Sequence, residues 1–311
     1  MQRFKLNNQH FKWSNDQTFD NVEGQLRAYG KYIPPDTALS GVETSVLVEW
    51  RERFASQTTN SGIEYRLDTL ISMLTAMARN SLAQDSDERG RAVDFSIPEP
   101  LGWIWAAPQD RIGLVFKAPL SDSRPPLSFY DHIYSCRRAK QPPPPLEERF
   151  DLAFGLAKTL GSLVAVGWVH KAFHSHNLLF FRETGYRKLF IGGFTYARPQ
   201  DVRNDLSLGP EVGKDVALYR PPNGKRSKTS AGDIYSLGIV LLEIAYWYTI
   251  GMLVRKENLD TLVADVGFRC GSTYQSVVRR CLACTEDNKI DADEGRALLS
   301  LVIEDLAACR A

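Results

Sequence analysis

Three of the five histidines in this chain fall in one short run, His170-Lys171-Ala172-Phe173-His174-Ser175-His176-Asn177. An imidazole titrates near neutral pH, so His174 and His176, with Asn177 beside them, are candidates for acid–base work. The plainer reading is a loop whose histidines make local hydrogen bonds. Cys281-x-x-Cys284 has the spacing of half a zinc site. A second pair of ligands would have to come from Cys270 and distant histidines, so packed helix cysteines are the expectation and a metal is not. Five cysteines without paired spacing fit a reducing compartment, and hence a cytoplasmic protein. Lys225-Arg226-Ser227-Lys228 is a basic cluster that suits an anion or an acidic partner, or a solvated loop.

The elements that must position these residues follow from periodicity. Ser45–Arg51 alternates as a strand, with Val46, Val48 and Trp50 on one face and Leu47, Glu49 and Arg51 on the other. Ile63, Leu67, Leu70, Ile71, Leu74 and Met77 make one helix face, and Ser61-Gly62-Ile63-Glu64 has the form of a capping box before it. Leu101–Trp105 and Ile112–Phe116 read as strands joined at Pro108-Gln109-Asp110. Lys117 to Pro126 is a linker. Beyond it, Phe150, Ala153, Phe154, Ala157, Leu160 and Val164 form a helical stripe. Asn177–Phe181 and Lys188–Ile191 are a strand pair around Arg182–Arg187, Asp233 is the N-cap of a buried helix, and a last helix spans Asp293–Ala308. Pro142–Pro145 can be neither helix nor central strand and reads as a stiff connection. The expectation is an α+β fold in two lobes: an extension over 1–20, a β-rich lobe over 21–118 and a helical lobe over 119–311.

Lys and Arg number 38 and Asp and Glu 37 among 311 residues, a net charge of +1. No excess of positive charge is available to neutralise a run of phosphates, so neither nucleic acid nor a polybasic membrane anchor is expected. Ile234–Val254 is long and largely apolar. Glu243 lies in its middle, so a buried soluble helix is expected and a membrane span is not.

Several segments together resemble the protein kinase fold. His170 and Asn177 match the first and last positions of the HRDxxxxN catalytic loop. Ile191-Gly192-Gly193-Phe194-Thr195 lies where the DFG segment belongs, and Tyr219-Arg220-Pro221-Pro222 resembles the end of the activation segment. Asp233–Glu243 resembles the buried helix of the lower lobe, and Arg280-Cys281-Leu282 resembles the RCL before the closing helices. In that family, the residue matching Asp233 caps the catalytic-loop backbone.

Phosphoryl transfer needs one carboxylate near the acceptor hydroxyl and another on Mg²⁺. The resemblance puts these at Ala172 and Gly193, which carry no carboxylate. His170 and Asn177 are remnants. The loop lysine position is His174 and the HRD arginine is Lys171. No GxGxxG loop is visible among Gly24, Gly30 and Gly41, and the strand lysine is replaced by Glu49 or Arg51, depending on register. Arg51 is placed to pair with Glu64. The resemblance thus implies a pseudokinase, with Arg51, Glu64, Phe116, Ala118, Asn177 and Leu179 as candidate cleft residues. ATP and Mg²⁺ are not expected to bind, and a protein partner is. The phrasing of GLVFKAP, GGFTYARP and YRPP is similar to fungal kinase-like domains found beside HeLo or prion-inhibition domains, which implies a scaffold or regulatory role in signalling or cell-death recognition, in a stand-alone chain or an excised fragment. The alternatives are an atypical Ser/Thr-type kinase using His174, and a sensor whose apolar cleft is lined by Trp103, Trp105 and Phe116.

Overall fold

The computed structural model describes residues 3–20, 26–35, 43–52, 60–83, 95–106, 111–118, 126–181, 189–200, 214–222, 229–285 and 290–310. The basic cluster at 225–228, the turn at 182–188, the loop at 107–110 and most of the linker, 119–125, lie outside them.

The first half is built on an antiparallel sheet. Its strands are β1 (Phe11–Asp20), β2 (Leu26–Tyr32), β3 (Thr44–Glu52), β5 (Pro100–Ala106) and β6 (Arg111–Lys117), in the order β1-β2-β3-β6-β5. β1 comes from the stretch the sequence set apart as an extension. β3 is central, and its alternation works as the residue types require. Val46 and Val48 pack with Phe11, Tyr32, Ile104 and Val115 on one face, while Leu47 joins Tyr29, Ala118 and Leu179 on the other. Trp50 lies on the first face, 5.8 Å from the Trp13 ring. The register sets Arg27 of β2 directly opposite Glu49 of β3. Because strand side chains alternate, a one-residue slip would move both charges to the other face.

Helix α1 (Asn60–Ala83) packs on β5 through Leu70, Ile71 and Leu74. The indole N–H of Trp103 donates to Asp68 Oδ1 over 2.8 Å. The helix starts at Asn60, so Ser61 lies inside its first turn and is not the N-cap the sequence suggested. A short strand, β4 (Phe95–Ser96), follows it and pairs in parallel with a later strand, β10 (Leu189–Ile191). Strand β7 (Leu127–Ser128) leads into α2 (Phe129–Arg138), where the Ser128 hydroxyl accepts the Asp131 N–H. The connection through Pro142–Pro145 then enters α3 (Leu146–Ala165), whose first turn carries Glu147 and Glu148, as the helix dipole favours.

The rest runs through β8 (Trp168–Val169), β9 (Leu178–Phe180), the strand β10 already given, β11 (Arg198–Pro199), α4 (Lys214–Ala217), α5 (Ser230–Tyr246), α6 (Ile250–Leu253), α7 (Leu259–Cys270), α8 (Ser272–Leu282) and α9 (Ala292–Cys309). Every residue of α5 is buried, and α3, α7, α8 and α9 surround it. Asp233 is not the N-cap of α5. Thr229 holds that position, and Asp233 sits in the first turn with its carboxylate committed elsewhere. The apolar stretch is cut at Trp247, which is left-handed at φ 54°. No helix of the described residues is long and apolar enough to cross a membrane. The largest apolar cluster runs from Leu70, Trp103 and Phe116 through to α5, α8 and α9, so one core spans the boundary drawn at 118/119. The chain is mixed α+β.

Glu243 is fully buried in α5. Its Oε1 accepts the Tyr219 hydroxyl (2.7 Å) and the Ile250 N–H (2.8 Å), which ties α5 to α6. Its Oε2 has no partner among the described residues. Burial pushes its pKa up from 4.5 to about 7. The fold therefore prefers the protonated form, and this contribution to stability is full below 4.5 and fades as pH rises through about 7. Urea unfolding should show the wild type losing on the order of 2–3 kcal/mol relative to Glu243→Gln between about pH 5 and pH 8. Parallel pH profiles of the two proteins would contradict this.

Candidate functional site

The loop 170–177 joins β8 to β9 and is held from below by α5. The Asp233 carboxylate accepts the N–H of His170 (2.5 Å) and of Lys171 (2.8 Å). This holds Lys171 in a left-handed conformation at φ 67°. Burial raises Asp233 to about 6, against the opposing pull of those two N–H groups, so it is largely ionised at neutral pH. His170 Nδ1 accepts the Ala172 N–H (3.3 Å), which leaves Nε2 to carry the proton and donate to the Gly192 carbonyl (3.0 Å). The His170 ring meets the Phe194 ring edge-on at 4.8 Å.

Above the loop lies a buried polar centre. Arg27 donates from Nε to Glu49 Oε1 (3.0 Å), from Nη2 to Asn177 Oδ1 (2.6 Å) and from Nη1 to the His176 carbonyl (3.2 Å). Glu49 also accepts the Gly193 N–H, at 2.9 Å on Oε1 and 2.8 Å on Oε2. The Asn177 amide is fully used: Oδ1 takes the guanidinium, and Nδ2 donates to the Ala172 carbonyl (2.9 Å) and to His174 Nε2 (3.1 Å). Arg27 and Glu49 are 3% and 0% exposed, so the pair is shut off from solvent.

The two glycines make the centre possible. A Cβ on Gly192 would stand 2.6 Å from Glu49 Oε1. Gly193 has φ +82°, and a Cβ there would lie 2.6 Å from Asn177 Cγ and closer still to its Nδ2. No side chain fits at residue 193 while Asn177 keeps its place.

The candidate residues fall as follows. Ala172, Gly193 and Asn177 meet at this centre. Arg51 shares the Glu49 face of β3, donates to the Thr195 carbonyl and lies over the Tyr196 ring at 5.7 Å. Phe116 packs 6.4 Å from Phe194. Ala118 and Leu179 are buried with Tyr29, Phe181 and Phe190. Glu64 Oε1 pairs with Lys5 at 3.0 Å. His174 and His176 are both buried. His176 stacks on Tyr130 at 3.9 Å, and burial, then His174 and Arg27, lower its pKa to about 3, so it is neutral at neutral pH. Trp103 is core. Burial raises the Cys281 thiol and takes Cys284 to about 11, so both stay protonated. Among the described residues, no three His, Cys, Asp or Glu side chains gather to hold a metal. Arg27, the organising residue, escaped the sequence reading because β2 was not assigned. Its only signal is an arginine two residues before Tyr29 on the inward face of an alternating strand.

No family model matches the chain, and no curated protein matches it.

Gly193→Ala and Gly193→Asp should each lower stability by at least about 3 kcal/mol, from the left-handed backbone and the collision with Asn177 together. Gly167, at φ +75° with nothing within 4 Å of a Cβ, isolates the backbone part. Gly167→Ala should cost only about 1–2 kcal/mol in the same urea titration. Equal losses at the two glycines would contradict the packing described.

Proposed function

We propose that this chain is a degenerate protein-kinase-like domain without phosphotransferase activity that acts by binding other proteins. The sheet with α1 would be its upper lobe and the helical remainder its lower lobe. The observation that carries the reading is the Arg27–Glu49 pair and what it touches. At the positions the motif resemblance gives to the metal carboxylate and its companion asparagine stand Gly193, which has room for no side chain, and Asn177, whose oxygen is taken by a guanidinium at 2.6 Å. These residues do not fit Mg²⁺ or a nucleotide's phosphates: the acidic side chain present, Glu49, is already neutralised. Ala172 has no proton acceptor beyond its own backbone carbonyl, and that accepts from Asn177. The buried histidines give no exposed acid or base in their place. A cytoplasmic scaffold in fungal signalling or cell-death recognition is the setting that the motif resemblance supports.

Thermal unfolding with and without ATP and Mg²⁺ tests this. A ligand at a hundred times its Kd stabilises by about 2.7 kcal/mol, a rise of a few degrees. The expected shift is nil. A rise of several degrees that EDTA abolishes would overturn the reading.

A further inference from the structure

A solvent-open hollow of about 600 Å³ lies where the end of α2 and the chain after it meet the α5–α6 junction, lined by Tyr134, Arg137, Arg138, Lys140, Gln141, Pro142, Tyr248 and Met252. Its charged residues are all cations. Arg137 has a structural duty: it donates to the carbonyls of Trp247 (2.7 Å) and Tyr246 (3.0 Å) and stacks on Tyr248 at 3.8 Å, closing the C-terminus of α5. Arg138 and Lys140 have no such duty. Both are exposed, and neither forms an ion pair among the described residues. Lys256, next to the lining, is a fourth cation, its Nζ 5.0 Å from the Tyr248 ring centroid.

The backbone presents Lys140 in an unusual way. Helix α2 ends with the Gln141 N–H on the Cys136 carbonyl (2.9 Å), and Lys140 takes the left-handed position at φ 55°. Glycine is the ordinary occupant of that position, so a lysine is held there against backbone preference. The apolar part of the wall is Tyr134, Tyr248, Met252 and the ring of Pro142, the first residue of a stiff proline run. Cations around an apolar trough suit a ligand that is anionic and apolar by turns. The openness of the trough suits a length of chain, since small ligands are held in more enclosed sites.

We propose that this hollow docks an acidic, extended segment of a partner protein, with carboxylates on Arg138 and Lys140 and an apolar side chain between Tyr134, Tyr248 and Met252. The inference rests on the binding role proposed above and gives it a face and a partner chemistry.

The test is a display selection of random peptides on the whole chain, repeated on Arg138→Gln/Lys140→Gly. The glycine relieves the left-handed backbone, so the variant should melt no lower than the wild type. The wild type should enrich peptides with Asp or Glu beside an aliphatic or aromatic residue. Their affinity should fall roughly tenfold in the double variant, as for two lost exposed charge pairs. Tyr134→Glu, at an exposed position, should weaken the same peptides. A failure to enrich, a basic consensus, or acidic peptides that bind the variants equally would overturn the proposal. So would sedimentation showing a dimer that the double variant dissociates, since the occupant would then be a second copy. If the selection fails while ATP still gives no thermal shift, this docking face falls and the reading of the closed centre stands.

Discussion

Arg27 and Glu49 are opposite one another across two strands and face inward, where water cannot reach them. Taking two charges out of water is expensive, and the attraction between them offsets that only if their remaining donors and acceptors are also filled. Here the filling comes from outside the sheet: the Asn177 amide oxygen, the His176 carbonyl and the Gly193 N–H. The ion pair can be buried only if loop 170–177 and the turn at 192–193 lie against the sheet in one arrangement. Buried pairs of this kind are weak evidence of stability and better evidence of a specified geometry. The pair therefore fixes how the two halves of the chain meet.

The same loop is anchored from the other side by α5. Asp233 holds two of its N–H groups, and Glu243 is bonded to Tyr219, whose hydroxyl lies 2.5 Å from Ser175 Oγ in the loop. Ser236 adds a hydrogen bond to the Tyr219 carbonyl. Burial raises both carboxyls, Asp233 to about 6 and Glu243 to about 7. A segment pinned above by a guanidinium and below by two carboxyls has little freedom to rearrange around a substrate.

The sequence made much of this legible where one physical signal dominated. The alternation in β3, the helical stripes of α1 and α3, the β9–β10 pair and the uniformly apolar α5 all come from burial patterns that leave a plain trace. The absence of carboxylates at 172 and 193 could also be read directly. Other features left no such trace. Asp233 looked like an N-cap from its side chain alone, but its oxygens take the loop N–H groups, the role that only the motif resemblance implied. Ser61 had the cap spacing while the helix begins at Asn60. Strand β2 puts Arg27 and Lys31 on the same face as Tyr29 and has Gly30 in its middle, so its pattern does not read as apolar against polar. Arg27 was invisible for that reason: nothing in a linear sequence marks a charge as buried until its partner strand and register are known. The missing carboxylates at 172 and 193 were legible, whereas the buried ion pair beside them was not.

A double-mutant cycle on Arg27 and Glu49, followed by urea unfolding, tests this most directly. Arg27→Met and Glu49→Leu each strand a buried charge, and each should cost about 3–5 kcal/mol. The double variant replaces the pair by apolar groups and should cost well under the sum of the two, with a coupling of at least about 2 kcal/mol. Additive losses would contradict the claim that the pair acts as a unit at the centre of the fold.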